Sequence, residues 1–211
     1  MEEVALKDLD FRLLKQIENI HKVLTENPSY AVDVMSSIVK RHPGCLEARK
    51  ILRRAQQHAH SCRTNGLKSA ALKLNGKVLV IRSAMKAKKN PLAAIDEAEK
   101  ALNLNPLNLN AHKVIGASAE ILDLLETAAF AYEEMYKINS KDVETIVKLM
   151  SLYIHLGKYD AAIRLGDISC EEHPTNDEIQ FLSKKATVDQ SIKQGNWEVK
   201  GNYRNELKFP R

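Results

Sequence analysis

Apolar residues recur at intervals of three and four along most of the chain. After Pro91 they are Leu92, Ile95, Ala98, Ala101 and Leu102, with charged residues between them. This spacing places the apolar side chains on one face of an α-helix. Stripes of the same kind are formed by Val32, Met35, Ile38 and Val39, by Val114, Ala117, Ala119, Ile121 and Leu122, and by Ile146, Leu149, Met150, Tyr153 and Ile154. The pattern predicts an all-α protein in which one amphipathic helix follows another.

Prolines separate these stripes at regular distances. The interval from Pro28 to Pro43 equals that from Pro91 to Pro106, and the interval from Pro106 to Pro174 is two periods of about 34 residues. A proline suits the first turn of a helix, because its φ is already helical and its missing N–H would have no partner there. The distances therefore indicate a helical repeat of about 34 residues in which helices begin at prolines.

The register of this repeat breaks in the N-terminal half of the chain. The apolar pattern there predicts a helix over 46–58, a loop over 61–66 and a longer helix over 67–87. A final helix is predicted over 176–193, where the apolar residues are Ile179, Leu182, Ala186 and Ile192. A terminal helix of this kind would cap the end of a repeat array.

Residues of defined size recur at matching places in the repeats. Between 143 and 174 they are Leu149, Tyr153, the turn Gly157-Lys158-Tyr159, Ala162 and Pro174. The matching residues are Ile115, Gly116, Ala128 and Tyr132 one period earlier, and Ile81, Ala94, Ala101 and Pro106 before that. The order resembles the tetratricopeptide repeat, a helix-turn-helix unit of about 34 residues. Met150, Gly166 and Ser169 depart from the family pattern, which has Gly, an aromatic residue and Ala there.

The resemblance implies a solenoid of helical hairpins whose first helices line a concave groove for a partner peptide or helix. It divides the chain into an N-terminal helical hairpin region with a degenerate repeat (1–60), a repeat array with its capping helix (61–194) and a polar tail (195–211). The groove residues implied are Ser83, Lys86, Lys113, Ala117, Glu120, Lys148, Ser151 and His155. The implied function is that of a non-catalytic protein-interaction adaptor or assembly scaffold.

Charge is distributed unevenly along the chain. The net charge is only +5, yet residues 40–89 contain fourteen basic residues and one acidic residue, whereas residues 90–189 contain nine basic and seventeen acidic residues. The basic patch predicted within the first segment is Arg49, Lys50, Arg53, Arg54, Lys86, Lys88 and Lys89. A field of one sign attracts polyanions and acidic protein surfaces. The alternative function is therefore a nucleic-acid-associated helical repeat protein that uses residues 40–89.

The same basic segment has an intramolecular interpretation. Its side chains would pair with acidic residues such as Glu97 and Glu99, which would dock the N-terminal part onto the array. The segment also contains none of the aromatic residues on which single-stranded nucleic acids stack. Binding through phosphates alone would weaken steeply with salt, whereas binding of a protein in the groove would depend on salt modestly.

The sequence contains no motif that builds a common catalytic or cofactor site, such as G-x-S-x-G, a P-loop or a dinucleotide fingerprint. We therefore expect neither catalysis nor a cofactor. His58, His60 and Cys62 lie close in sequence, but a structural zinc site needs a fourth ligand, so no metal is expected. Three cysteines without C-x-x-C spacing, and no long apolar stretch, predict a cytoplasmic protein without membrane contact. The oligomeric state is left open.

The C-terminal tail contains the single tryptophan, Trp197. Trp197 would either anchor a partner or fold back over the open end of the array. The second role is favoured, because an uncapped solenoid leaves apolar surface exposed.

Overall fold

The structure, a computed structural model, describes residues 1–62 and 68–195, except for the side chains of His21 and of residues 68–74. Within this part the chain is all-α, as predicted, and contains no strand. A 3₁₀ turn at Leu6–Asp8 precedes ten α-helices: α1 (Phe11–Val23), α2 (Pro28–Arg41), α3 (Leu46–Ser61), α4 (Lys68–Lys86), α5 (Pro91–Leu104), α6 (Leu109–Ile121), α7 (Leu125–Ile138), α8 (Val143–His155), α9 (Tyr159–Glu172) and α10 (Asp177–Gly195). The helices predicted over 46–58, 67–87 and 176–193 correspond to α3, α4 and α10.

Two predicted segments lie largely outside the described residues. The loop over 61–66 is described only as far as Cys62, and the C-terminal tail only at Gly195. The two roles considered for Trp197 therefore stay predictions.

Helix starts follow two patterns, only one of which was predicted. Pro28 and Pro91 are the first residues of α2 and α5, and the asparagine before each of them accepts a hydrogen bond from a backbone N–H of the first turn. Such caps satisfy donors that have no partner inside the helix. For Pro43, Pro106 and Pro174 the prediction was wrong, since each lies in the turn before its helix. Asn108 and Asn176 then cap α6 and α10 from the position just before the helix.

The chain forms two compact units, Met1–Asn139 and Ser140–Arg211. In the first unit, α4 pairs with α5 and α6 pairs with α7, while α2 packs on α1 and α3. In the second unit, α8 pairs with α9, and α10 packs on both. The helical hairpin is therefore the common building block. The sequence boundary drawn at residue 60 does not coincide with a boundary between these units and stays a prediction about repeat character.

The N-terminal three helices have their own core. Large apolar side chains from each helix are buried in it: Ile17, Ile20, Met35, Ile38, Ile51 and Leu52. The residues before α1 contact the α6–α7 hairpin. The Glu3 carboxylate accepts the N–H of Thr127 in the first turn of α7 at 2.7 Å, and the Met1 amino group donates to the Leu122 carbonyl at 2.9 Å. Partial burial raises the pKa of the Glu3 carboxyl. The N-terminal segment thereby ties this three-helix group to the α6–α7 hairpin.

In the α6–α7 hairpin, a glycine makes room for an aromatic ring. A Cβ at Gly116 would lie 2.8 Å from Cζ of Tyr132, so only glycine allows the ring to lie this close to α6. The Tyr132 hydroxyl continues past the contact and donates to Glu120 at 2.7 Å. The Gly and the aromatic residue of the repeat pattern are thus one packing contact.

The α8–α9 hairpin makes the same contact with the sizes exchanged. One repeat further along the chain, Met150 occupies the position equivalent to Gly116, and Gly166 the position equivalent to Tyr132. A Cβ at Gly166 would lie 3.0 Å from Cε of Met150 and 2.8 Å from Oγ of Ser183 on α10. Met150 and Gly166 therefore compensate each other in size, because the large side chain of this contact lies on the first helix of the pair and not on the second.

We expect Gly116→Ala to lower the free energy of unfolding by about 1 kcal/mol. Overpacking against Tyr132 destabilises by about 1–3 kcal/mol, and the higher helix propensity of alanine offsets about 1 kcal/mol of this loss. Gly76→Ala in α4 is the matched control, since a Cβ there meets no atom of the described residues within 4 Å. The control should be neutral or stabilising. Urea denaturation followed by circular dichroism measures both variants, and equal effects would contradict the assigned Tyr132 contact.

Candidate protein-interaction surface

Two members of the predicted basic patch are inside the protein. Arg49 and Arg53 on α3 are 0% and 3% exposed. Nη1 of Arg49 lies 2.6 Å from Oε1 of Glu99, and Nη2 of Arg53 lies 3.4 Å from Oε2 of the same residue. These two arginines were predicted to be surface ligands, and this placement corrects that part of the patch. They face α5, where a buried carboxylate neutralises them.

Polar side chains complete the arginine cluster, which consists of Arg49, Arg53, Gln56, Glu99 and Asn103. Gln56 accepts a hydrogen bond from Arg53, and its amide donates to Oε2 of Glu99 at 3.3 Å and to Oδ1 of Asn103 at 2.6 Å. Burial by itself would raise the pKa of Glu99, but the two guanidinium groups hold it below its usual value. The cluster therefore joins α3 to α5 through charges that have no access to solvent.

A second ion-pair group joins α4 to α5. Oε1 of Glu97 lies 3.3 Å from Nζ of Lys86, 3.5 Å from Nζ of Lys100 and 3.6 Å from Nη2 of Arg82. Burial opposes the charge on Glu97, but these three cations lower the pKa of its carboxyl. The intramolecular interpretation of the basic segment is thus confirmed for Arg49, Arg53, Arg82 and Lys86.

Four of the predicted patch residues are exposed. Lys50 and Arg54 lie one turn apart on the outer side of α3, and Lys88 and Lys89 follow the end of α4. The ammonium group of Lys50 lies 5.9 Å from the ring centroid of Phe130, a cation–π contact. The nucleic-acid alternative requires a continuous row of phosphate ligands. Because Arg49 and Arg53 are buried, only the four exposed cations of the patch remain for this role.

The predicted groove residues of α6 and α8 lie at the helix surface. On α6, Lys113 is exposed while Ala117 and Glu120 are half-buried, and the three share one face. On α8, the exposed residues that share one face are Lys148, Ser151 and His155. Their role in binding stays a prediction.

The predicted groove residues of α4 are placed differently. Ser83 is fully buried and donates to the Val80 carbonyl at 2.7 Å, so its prediction as a surface residue is wrong. Lys86 is half-buried in the ion-pair group of Glu97. Ser83 and Lys86 lie one period of 34 residues before Ala117 and Glu120, but in α4 this face is buried or paired with α5.

The outward face of α4 is apolar. Val78, Ile81 and Met85 are 49%, 61% and 76% exposed, whereas Leu79 and Val80 pack against the core of α5 and α6. We call these three residues the α4 stripe. Their spacing of three and four places them on one helical face, and their exposure shows that no described residue covers this face.

His112 on α6 is completely buried. Its Nε2 lies 2.8 Å from the Pro106 carbonyl, a pairing that fixes the ring against the turn before α6. Burial, with a smaller contribution from the charge on Arg53, lowers the pKa of His112 to about 3. The residue is therefore a neutral core side chain at physiological pH.

The described residues assemble no metal site, since no group of three or more His, Cys, Asp or Glu side chains is suitably placed among them. Cys45 is buried, Cys62 is exposed and Cys170 is half-buried, each as a free thiol. None of the helices in residues 1–62 and 68–195 is both long and apolar enough to span a membrane.

No protein-family model matches the chain, and a search of curated proteins also finds no match. Among solved structures, one described as the crystal structure of MamA protein is similar over 88% of this chain and 100% of that chain. The sequence identity is 16% and the TM-score is 0.44. Similarity at this level assigns no function, which must come from the residues of this chain.

Proposed function

We propose that this protein is a non-catalytic interaction adaptor or assembly scaffold that binds a partner peptide or helix on the outward faces of its first helices. First helices here means α4, α6 and α8, each of which begins a hairpin. Exposed faces of first helices serve as binding surfaces in helical repeat proteins.

The observation that carries the proposal is the burial pattern of α6. Ile115 and Ala119 are fully buried, while Lys113, Ala117 and Glu120 form a face that has access to solvent. This face combines a cation, a small residue and a carboxylate within two helical turns. A small residue between two charged residues lets a partner backbone approach while its polar groups find hydrogen-bond partners.

The second unit presents a comparable face by itself. Lys148, Ser151 and His155 on α8 are exposed, while Leu149, Met150 and Leu152 are buried. The alternation along α8 supports a surface with polar character rather than an uncovered core. Each unit therefore offers a face that can be tested separately.

We expect Lys113→Glu and Lys148→Glu, singly and together, to reduce recovery of a specific partner from source lysate in a pull-down. Charge reversal at an interface removes a favourable contact and introduces repulsion, while helicity measured by circular dichroism should not change. Lys22→Glu with Lys185→Glu is the matched control, because these exposed lysines carry the same charge change at α1 and α10. Equal recovery with both pairs would overturn the proposal that these faces bind the partner.

A further inference from the structure

The α4 stripe is an apolar surface at one edge of the α4–α7 hairpins. Val78, Ile81 and Met85 lie at i, i+3 and i+7, so they form a line about 10 Å long on one side of the helix. The opposite side of α4 contains the buried Ser83, together with Leu79 and Val80, which pack against the core of α5 and α6. The stripe is therefore a second face of α4 that its hairpin does not use.

The packing order of the first unit explains why this face is open. α6 lies between the helix that precedes it, α5, and the helix that follows it, α7. The main packing partners of α4 are instead the two helices that follow it. The preceding helix, α3, packs on α2 and contacts α5 through the arginine cluster. Beside α6, the preceding helix α5 covers one side. The corresponding side of α4 has no described helix beside it.

The charge around the stripe defines what would fill this position. No acidic residue occurs between Glu47 and Asp96 in the sequence. With 3.6 residues per turn, Lys77 borders the stripe on one side and Arg82 on the other. Lys88 and Lys89 follow at the end of the helix and are exposed. Arg82 already pairs with Glu97 of α5, so the cations that the stripe offers a partner are Lys77, Lys88 and Lys89.

We propose that the α4 stripe binds an amphipathic helix whose apolar face is flanked by Asp and Glu. This partner helix would pack beside α4 in the way that α5 packs beside α6. This inference rests on the proposed function and names a surface and a partner chemistry for it. Two or three turns of a partner helix match the stripe, and helix-in-groove partners use the same i, i+3, i+7 spacing. Carboxylates beside its apolar face would meet Lys77, Lys88 and Lys89 and would favour correct orientation.

The test uses the full-length protein and three fluorescent peptides of about 18 residues, long enough to form helix on binding. The first has a Leu stripe flanked by Glu, the second has the same stripe flanked by Lys, and the third has the Glu-flanked composition in scrambled order. Fluorescence anisotropy should show the first peptide binding at least about ten-fold more tightly than the other two. Equal binding of all three, or no binding of the first, would overturn the proposal.

Variants locate the site. Ile81→Ser with Met85→Ser should weaken binding of the Glu-flanked peptide at least about ten-fold. The control is Val188→Ser with Ile192→Ser, which removes exposed apolar residues from α10 and should leave binding unchanged. These positions are exposed, so circular dichroism spectra of both variants should match that of the parent. Equal losses in the two variants would overturn the assignment to α4.

Two further measurements distinguish other occupants of the stripe. Binding to phosphatidylserine-containing vesicles that is lost in Ile81→Ser with Met85→Ser would assign the stripe to a membrane surface and overturn the proposal. A concentration-dependent increase in mass that the same variant abolishes would assign it to a second copy of the chain and overturn the proposal as well. Because neither Lys113 nor Lys148 belongs to the stripe, a negative result here leaves the pull-down on the α6 and α8 faces as a separate test of the proposed function.

Discussion

Replacing Glu99 with Gln should lower the free energy of unfolding by about 3 kcal/mol, because it leaves two buried guanidinium groups without their counter-charge. Arg49 and Arg53 both pair with this one carboxylate, and neither reaches solvent. Glutamine retains the size of the side chain, so loss of packing contributes little. We place the effect at the lower end of the usual range for a broken buried pair because Glu134 also attracts Arg53.

Glu97→Gln is the matched control, two positions away on the same helix. The cations that surround Glu97 are partly exposed, with side-chain exposures of 38% for Lys86, 57% for Arg82 and 56% for Lys100. Water can solvate them after the substitution, so the expected loss is about 1 kcal/mol or less. Urea denaturation followed by circular dichroism gives both values. A loss in Glu97→Gln as large as that in Glu99→Gln would contradict the role assigned to burial.

The stability of the protein should fall by about 2 kcal/mol between pH 7 and pH 5 through His112 alone. Its pKa is about 3 in the folded protein and 6.5 is the ordinary value, so the unfolded chain takes up a proton in this range while the folded protein does not. A lowered histidine pKa therefore removes stability as pH falls below about 6.5, and the loss continues until pH approaches 3. The side chain is fully buried, so solvent does not screen this effect.

The measurement is the slope of unfolding free energy against pH for the parent and for His112→Gln. The variant has no titrating ring at this position, so most of the slope between pH 7 and pH 5 should disappear even if its stability at pH 7 is lower. The carboxyls of Glu3 and Asp96, whose pKa values burial raises, act in the opposite direction and are present in both proteins. An unchanged slope in His112→Gln would show that the imidazole titrates normally in the folded protein.

Helix positions were predictable because they depend on local chemistry. The i, i+3, i+4 stripes that predicted helices correspond to buried faces, as for Met35 and Ile38 on α2. Helix starts at Pro28 and Pro91 also followed from local rules, since a proline and an asparagine cap act within one turn. Pro106 showed the limit of this reasoning, because proline spacing alone does not distinguish a helix start from the turn before it.

Side-chain exposure was less predictable than helix position. Arg49 and Lys50 are adjacent members of one basic run, yet one is fully buried and the other is exposed. Local sequence gives both the same chemistry, and the difference arises from which face of α3 meets Glu99 on α5, far along the chain. Ser83 shows the same limit, since the choice of the buried face of α4 depends on how α5 and α6 pack against it.

The sequence by itself determined the all-α class and the succession of amphipathic helices, and it predicted pairing with acidic residues as one of two interpretations of the basic segment. These properties depend on spacing and composition, which are local or additive along the chain. Only the tertiary structure decided that Glu99 neutralises two arginines, that Met150 and Gly166 exchange the sizes of Gly116 and Tyr132, and that Val78, Ile81 and Met85 are exposed. Each of these depends on which helix faces meet across long stretches of chain, and burial then fixes the energy of a charge or an apolar side chain far more than residue type does.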